Sequence, residues 1–392
     1  MSRRFRRTLS ALALASLAWP ALGGDWRYTF QSAQITLLPN AFRTGGESEA
    51  RDINVHGQIV GWEGYISGAP NAWLYEPSGA YKYVGGPVRS TASFADGINN
   101  VGEVVGTTSE NGFGRGFHWS PGTGFDLLGH GLQPGQSYNS QYGFTARAIN
   151  DFGRIVGSAE ATIYSEGIPY SPCTWDIPVE WARPDAEPRV LYCPAEPNGE
   201  NEARAVNLYG WTAGFETTTK NRGFRFHEKA VSYVPWPAGG EKDGMGVYGM
   251  NQKASVTGHG VFPTNFQPIY WDGKSAASIG LGLLPGGSGG RGLDINDDEF
   301  VTGYSERFLT TDVGGFVGHR AFIWRAEMGM LELPAPPPVG GPIYESCRAN
   351  ALANFKITSG NAGVVKVVGF CQRGNKKHAV RWDVEFTRYW LP

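Results

Sequence analysis

An all-β propeller of about seven four-stranded antiparallel blades is the fold class that this sequence predicts. Three observations carry the prediction. A short phrase recurs seven times: an apolar residue and Asn, two residues, Gly, then an apolar run that ends in Gly. Its clearest copies are Ile53-Asn54 to Gly61, Ile98-Asn99 to Gly106 and Ile149-Asn150 to Gly157; others begin at Val206-Asn207, Met250-Asn251 and Ile295-Asn296. The seventh has Leu352-Ala353 and returns to register at Val367-Val368-Gly369. A spacing of roughly 45 to 57 residues between copies marks a repeat architecture. Behind each phrase comes an apolar pair with a period of two, the pattern of a strand. The 56 glycines and 25 prolines make up about 21% of the chain, against about 12% ordinarily, beside abundant Trp, Tyr and Phe. That composition suits many short strands and turns, with little helix.

Each repeat then resolves into four strands. Asn-x-x-Gly between two apolar runs fits a type I turn with Asn first and Gly fourth, so the repeat opens with a hairpin. The first strand is small and apolar, as in Ala146-Arg147-Ala148-Ile149; the second is β-branched, as in Val104-Val105. The third carries Trp73/Tyr75, Phe117/Trp119, Cys173/Trp175, Phe224/Phe226, Ile269/Trp271, Phe322/Trp324 and Val380/Trp382 in the seven repeats. The fourth is expected at Tyr81 to Val84, Phe125 to Leu128, Val190 to Cys193, Val231 to Val234, Ala276 to Ile279, Leu331 to Leu333 and Arg388 to Leu391. Small first strands belong nearest the axis, and the aromatic third strands between blades. The run Ile35-Thr36-Leu37-Leu38-Pro39 reads as a surplus fourth strand at the seam between first and last blades, which leaves six or eight blades open as counts.

Ahead of the repeats, basic residues at Arg3, Arg4, Arg6 and Arg7, an apolar stretch from Leu9 to Ala18 and small residues up to Gly23 read as a secretory signal peptide over 1–23. General secretion fits these residues better than twin-arginine export. Residues 24–392 then form one propeller domain, with repeats beginning near 50, 95, 146, 203, 247, 292 and 349. Loss of the leader leaves 30 basic against 36 acidic residues, a net charge of −6 in place of −2. Such a surface gives no reason to expect nucleic acid or membrane as a partner. The expected location is periplasmic or extracellular, and a monomer is expected.

At this point the repeats resemble the secreted bacterial HAF-repeat family, named for a His-Ala-Phe tripeptide in the third strand. The matching residues are His378-Ala379-Val380 and His319-Arg320-Ala321-Phe322-Ile323-Trp324, with the Ile-Asn and Val-Gly phrases, and no copy keeps the tripeptide intact. The resemblance implies a secreted repeat protein of unassigned activity and supplies no catalytic residues.

Chemistry-bearing residues are sparse. Asp294, Asn296 and Asp298 alternate as in a calcium loop, but the loop Gly and distal Glu are missing and Asn296 is the turn residue of its repeat. His56, His118, His130, His227, His259, His319 and His378 have no zinc-like spacing, so neither metal nor cofactor is expected. No Gly-x-Ser-x-Gly elbow stands in a strand-to-helix context. Asp52, Asp96 and Asp294 lie on first strands at what read as unlike repeat positions, which leaves a glycoside hydrolase or lyase as the alternative to a binding protein.

Four cysteines in an exported chain are expected as two intrablade disulfides. Cys347 and Cys371 take the places of Ser93 and Thr108, which face each other across a hairpin; Cys173 and Cys193 take those of Phe117 and Leu128. Binding is expected on the face with the longer connections, Ser158 to Pro172, Tyr304 to Arg320 and Pro334 to Cys347 being the extremes. Arg51, Arg147 and Arg204 share one position of the first strand, and Arg291 and Arg348 lie one or two places earlier. These five form the candidate ligand-binding set, a basic collar for an acidic glycan or a peptide or protein carboxylate. The competing reading is that they are spent on ion pairs with Glu49, Asp96 and Glu202.

Overall fold

In a computed structural model the described residues are 5–7, 25–39, 46–65, 68–86, 92–110, 112–131, 136–138, 143–165, 173–193, 199–217, 220–311, 314–337 and 344–391. The expected signal peptide lies outside them, save for Phe5–Arg7, which pairs with Ala33 to Ile35. Seven four-stranded antiparallel sheets form the blades, with no helix among the described residues. Their first strands are Glu47–Ile53, Ser93–Ile98, Phe144–Ile149, Asn201–Val206, Gly246–Met250, Gly289–Ile295 and Ser346–Leu352. We number the blades 1 to 7 in that order.

The recurring phrase folds by one mechanism in blades 1 to 6. Its Asn carbonyl accepts from the fourth-position amide, as in Gly57 N to Asn54 O at 2.9 Å and Gly102 N to Asn99 O at 3.2 Å, closing the type I turn. The fourth residue has φ near +80° in Gly57, Gly102, Gly153 and Gly210, the left-handed region where glycine avoids a steric cost. Ala254 and Glu299 adopt φ of 60° and 63° in blades 5 and 6 without that freedom. The Asn side chain does more than start the turn. Its Oδ1 accepts two amides of its own turn, as from Phe152 and Arg154 to Asn150. Its Nδ2 donates to the carbonyl at the same position of the next blade: Asn54 to Asn99, Asn99 to Asn150, Asn150 to Asn207, Asn207 to Asn251, Asn251 to Asn296, and Asn296 to Ala353. Blade 7 carries Ala353 and has no such donor, so the asparagine circuit stops at the joint between blades 7 and 1.

The closing Gly answers a different need. The first strand bulges by one residue opposite it in all seven blades, at Arg51, Asp96, Arg147, Arg204, Tyr248, Leu293 and Asn350. The bulge drives a first-strand carbonyl against the second strand. A Cβ at Gly61 would sit 2.0 Å from the Glu49 oxygen, and one at Gly303 2.0 Å from the Arg291 oxygen. Only glycine fits.

Third-strand pairs fill the joints between blades, as with Trp73, Phe117, Phe224, Phe322 and Trp382, each at most 1% exposed. Two expectations need correction. In repeat three the pair that faces Gly157 is Val179 and Trp181, not Cys173 and Trp175. An elongated hairpin, Ile155–Ser165 with Cys173–Trp181, carries Cys173 and Trp175 away from the blade core, and Cys173 meets Ile163 instead. The second error is in repeat seven, where Arg388 to Leu391 belongs to the long third strand Lys376–Leu391. The fourth strand there is Asp25–Leu37, paired from Asp25 with Leu391 to Leu37 with Val380. Leu38 N then donates to Ala379 O at 2.9 Å, the bond that Val84 makes to Ala72 and Leu128 to Gly116 in their own blades. The surplus N-terminal strand thus completes blade 7 at the seam, and the number of blades is seven.

Cys347 and Cys371 lie directly opposite on the first and second strands of blade 7 and are disulfide-bonded, with Cα atoms 4.1 Å apart. For the second expected pair, the Cys173 side chain lies outside the described residues. Cys193 falls three residues beyond the short fourth strand Arg189–Val190, and Leu191 takes the place equivalent to Leu128.

The candidate functional site at the mouth of the axial channel

The seven bulged side chains point into the axis, where they line both of two cavities of about 320 Å³. One cavity adds Glu49 and Arg348 and opens toward the long second-to-third-strand hairpins. The other adds the asparagine turns at the opposite end. Arg51, Arg147 and Arg204 therefore share a ring, as the repeat alignment expects. Arg291 and Arg348 stand two residues before their bulges, nearer the mouth, in adjacent blades 6 and 7.

Charge divides this mouth into two halves. Arg51 pairs with Asp96; Arg147 bridges Asp96 and Glu202; Arg204 shares Glu202. Lys377 reaches Glu49 at 2.8 Å, and Glu49 also lies 3.9 Å from Arg51. Arg291 and Arg348 have no carboxylate within ion-pair distance among the described residues. They rest on aromatic faces instead. Arg348 lies 4.3 Å from the Tyr304 ring centre and 5.9 Å from that of Phe370; Arg291 lies 5.6 Å from Phe266 and 5.8 Å from Tyr248. Four of the six cations thus share three ion-paired carboxylates, and the two that have no such partner stand in adjacent blades.

Hydrogen bonds hold the bed in place. Arg291 Nη1 donates to the Tyr248 hydroxyl at 3.2 Å, and that hydroxyl is hydrogen-bonded to His259 Nδ1 at 3.1 Å. His259 is neutral near pH 7, because burial and the Arg291 charge push its pKa down to about 3. His319, beneath Arg348, is likewise held down to about 4 by burial and by Arg348, Arg291 and Lys377.

Other sequence candidates are directed to structure. Asp52 and Asp294 hold one and the same position, immediately after the bulge, whereas Asp96 is itself a bulge residue. Asp52 accepts from Ile53 N at 2.7 Å and from Ile98 N at 2.9 Å, joining blades 1 and 2; Asp294 accepts from Ile295 and Leu352, joining blades 6 and 7. Burial pushes Asp52 up to about 7, and burial with the nearby Asp52 charge pushes Asp294 up to about 8. Asp298 takes the Tyr28 hydroxyl and Phe355 N, so the calcium-like run serves inter-blade bonding. No group of three or more His, Cys, Asp or Glu side chains suited to a metal occurs among the described residues. His319 Nδ1 lies 3.3 Å from Ser346 Oγ, but that hydroxyl accepts His319 N at 2.9 Å, as Ser93 accepts Ala72 N from the preceding blade.

The aromatic bed is absent from the sequence-derived set, although a signal for it exists. The residue after the closing Gly is Trp62, Phe215, His259, Tyr304 or Phe370 in five of the seven blades, and register places it across from the residue two before the bulge.

No protein-family model and no curated protein matches the sequence. Among solved structures, a puromycin hydrolase mutant complexed with PGG is similar in fold, at a TM-score of 0.50 and 12% identity over 85% of this chain and 53% of that one. The chain spans about half the length of that enzyme. An Aleuria aurantia lectin in complex with Fucalpha1-6GlcNAc matches at a TM-score of 0.36 and 8% identity, covering 77% of this chain and 100% of its own. Trypanosoma rangeli sialidase matches at 0.39 and 10% identity, covering 79% of this chain and 57% of its own. Likeness at these identities concerns the fold alone.

Proposed function

We propose that this chain is an exported, non-catalytic propeller of the HAF-repeat type that binds the acidic group of a glycan at the mouth of its axial channel. The carrying observation is the adjacent pair Arg291 and Arg348, stacked on aromatic rings and without carboxylate partners among the described residues. Stacking leaves guanidinium donors for an anion, Arg291 committing Nη1 to the Tyr248 hydroxyl, and a carboxylate or sulfate offers bidentate geometry. Arg51, Arg147 and Arg204 add positive potential but spend their donors on Asp96 and Glu202. The Cys347–Cys371 disulfide suits an oxidising compartment, in keeping with a periplasmic or extracellular location. Binding is favoured over hydrolysis because Asp52 and Asp294, two of the carboxyls that line the channel, are each engaged by two backbone amides that tie blades together, and Asp96 is held by Arg51 and Arg147.

Titration calorimetry with glucuronic acid and with glucose tests the reading. The acid should bind and the neutral sugar should not. Arg291→Met with Arg348→Met should weaken the acid by about ten- to a hundredfold, the scale of one or two charged hydrogen bonds. Unchanged affinity in that variant, with its fold intact, would remove the site.

A further inference from the structure

Above Arg348 the hairpin of blade 6 rises as a wall. Its strands Val301–Thr311 and Gly314–Arg325 stay in unbroken register from Tyr304 opposite Ala321 through Phe308 opposite Val317. Alternation puts Tyr304, Glu306 and Phe308 on one face, together with their partners His319 and Val317. This face looks toward blade 7, because Tyr304 lies under Arg348 and His319 contacts Ser346. From the mouth outward the stripe thus reads cation on aromatic, then Glu306 with His319, then Phe308 and Val317. The last two are 62% and 50% exposed, a cross-strand apolar pair left open to solvent. Four residues separate Tyr304 from Phe308, about 14 Å at ~3.4 Å per residue, or about three sugar rings.

We infer that the anion at Arg348 is the acidic end of a linear oligosaccharide whose following, neutral residues climb this wall to stack on Phe308 and Val317. The inference rests on the mouth being an anion site and goes on to fix the charge pattern of the ligand. Glu306 stands between the cation and the apolar platform, and its nearest imidazole, His319 Nε2 at 3.9 Å, carries no charge near neutral pH to offset it. A chain with an acid on every residue would set a carboxylate against Glu306. One with a single terminal acid presents hydroxyls there, which the carboxylate accepts. An aromatic platform suits the apolar face of a sugar ring, whereas an added peptide strand draws on main-chain hydrogen bonds and alternating pockets.

Calorimetry with three probes tests this: glucuronic acid, a neutral tetrasaccharide capped by one terminal glucuronic acid, and tetragalacturonate. The capped tetrasaccharide should bind about tenfold tighter than glucuronic acid, the gain that burying an exposed aromatic ring supplies. Phe308→Ser with Val317→Ser, at exposed positions, should erase that gain and leave glucuronic acid unaffected. Tetragalacturonate should bind more weakly than the capped sugar, and Glu306→Gln should close the difference. Equal affinity for glucuronic acid and the capped tetrasaccharide, or a gain that survives the double serine substitution of the wall, would overturn the inference while leaving the anion site standing. A gain for a short peptide with a free carboxylate end, but none for the sugar, would also overturn it. Failure of wild-type protein to bind glucuronic acid would instead overturn the reading of the mouth.

Discussion

Asp52 and Asp294 show how one repeat position serves as a clamp at a cost. Each carboxyl follows a bulge, accepts one amide from its own strand and one from the next blade, and does so half-buried in the channel wall. The folded pKa values near 7 and 8 exceed the ordinary carboxylate value, so between about pH 4 and 8 the folded chain holds protons that the unfolded chain releases. Stability from these groups is therefore fully present below the unfolded pKa and is lost as pH rises through 7 to 8. Urea midpoints should fall between pH 5 and pH 8.5 in the wild type. Asp52→Asn with Asp294→Asn should lower the midpoint at pH 5 yet flatten this dependence; an unaltered slope would mean that other groups set it.

At the level of strands and turns, much of the fold is legible because the phrase encodes two local necessities, a left-handed turn residue and a bulge that excludes a Cβ. The first favours glycine and the second requires it, at fixed spacing, and both recur. The third strand of blade 3 is misread because its hairpin is longer, and Cys173-Thr174-Trp175 imitates the alternation that Val179-Glu180-Trp181 fulfils. Pattern alone does not say how far a hairpin runs past its blade. The arginine ring is legible from alignment, whereas its division into paired and unpaired halves is not. That division depends on which acid lies in the next blade, and on rings supplied by second strands. The Cys347–Cys371 pair is legible because cross-strand partners can be counted outward from a turn. It closes a loop of 24 residues between the first two strands of blade 7, worth about 3 kcal/mol in the chain-entropy model. Cys347→Ser with Cys371→Ser should lower the unfolding free energy by roughly that amount, read from denaturant midpoints at constant m.

On the scale of the whole ring, closure depends on a strand from the far end of the chain. Asp25–Leu37 is the outer strand of blade 7 and also reaches blade 6, where Tyr28 donates to Asp298 at 2.8 Å, lies under Arg325 and packs on Phe300. A chain beginning at residue 39 should lose cooperative unfolding and aggregate through the bare edge of Lys376–Leu391. A peptide of residues 25–38 added in trans should restore a single transition; recovery without it would show that the clasp is dispensable. The clasp also orders events in time. In a chain synthesised from its N-terminus, the strand that emerges first must wait for the one that emerges last, and every blade between can form before the two meet. Closure is then the late, slow step, governed by the search of two distant ends rather than by any single hairpin. Through that interval both partners remain open edges, and whatever shields the leading strand decides how much protein reaches the closed ring.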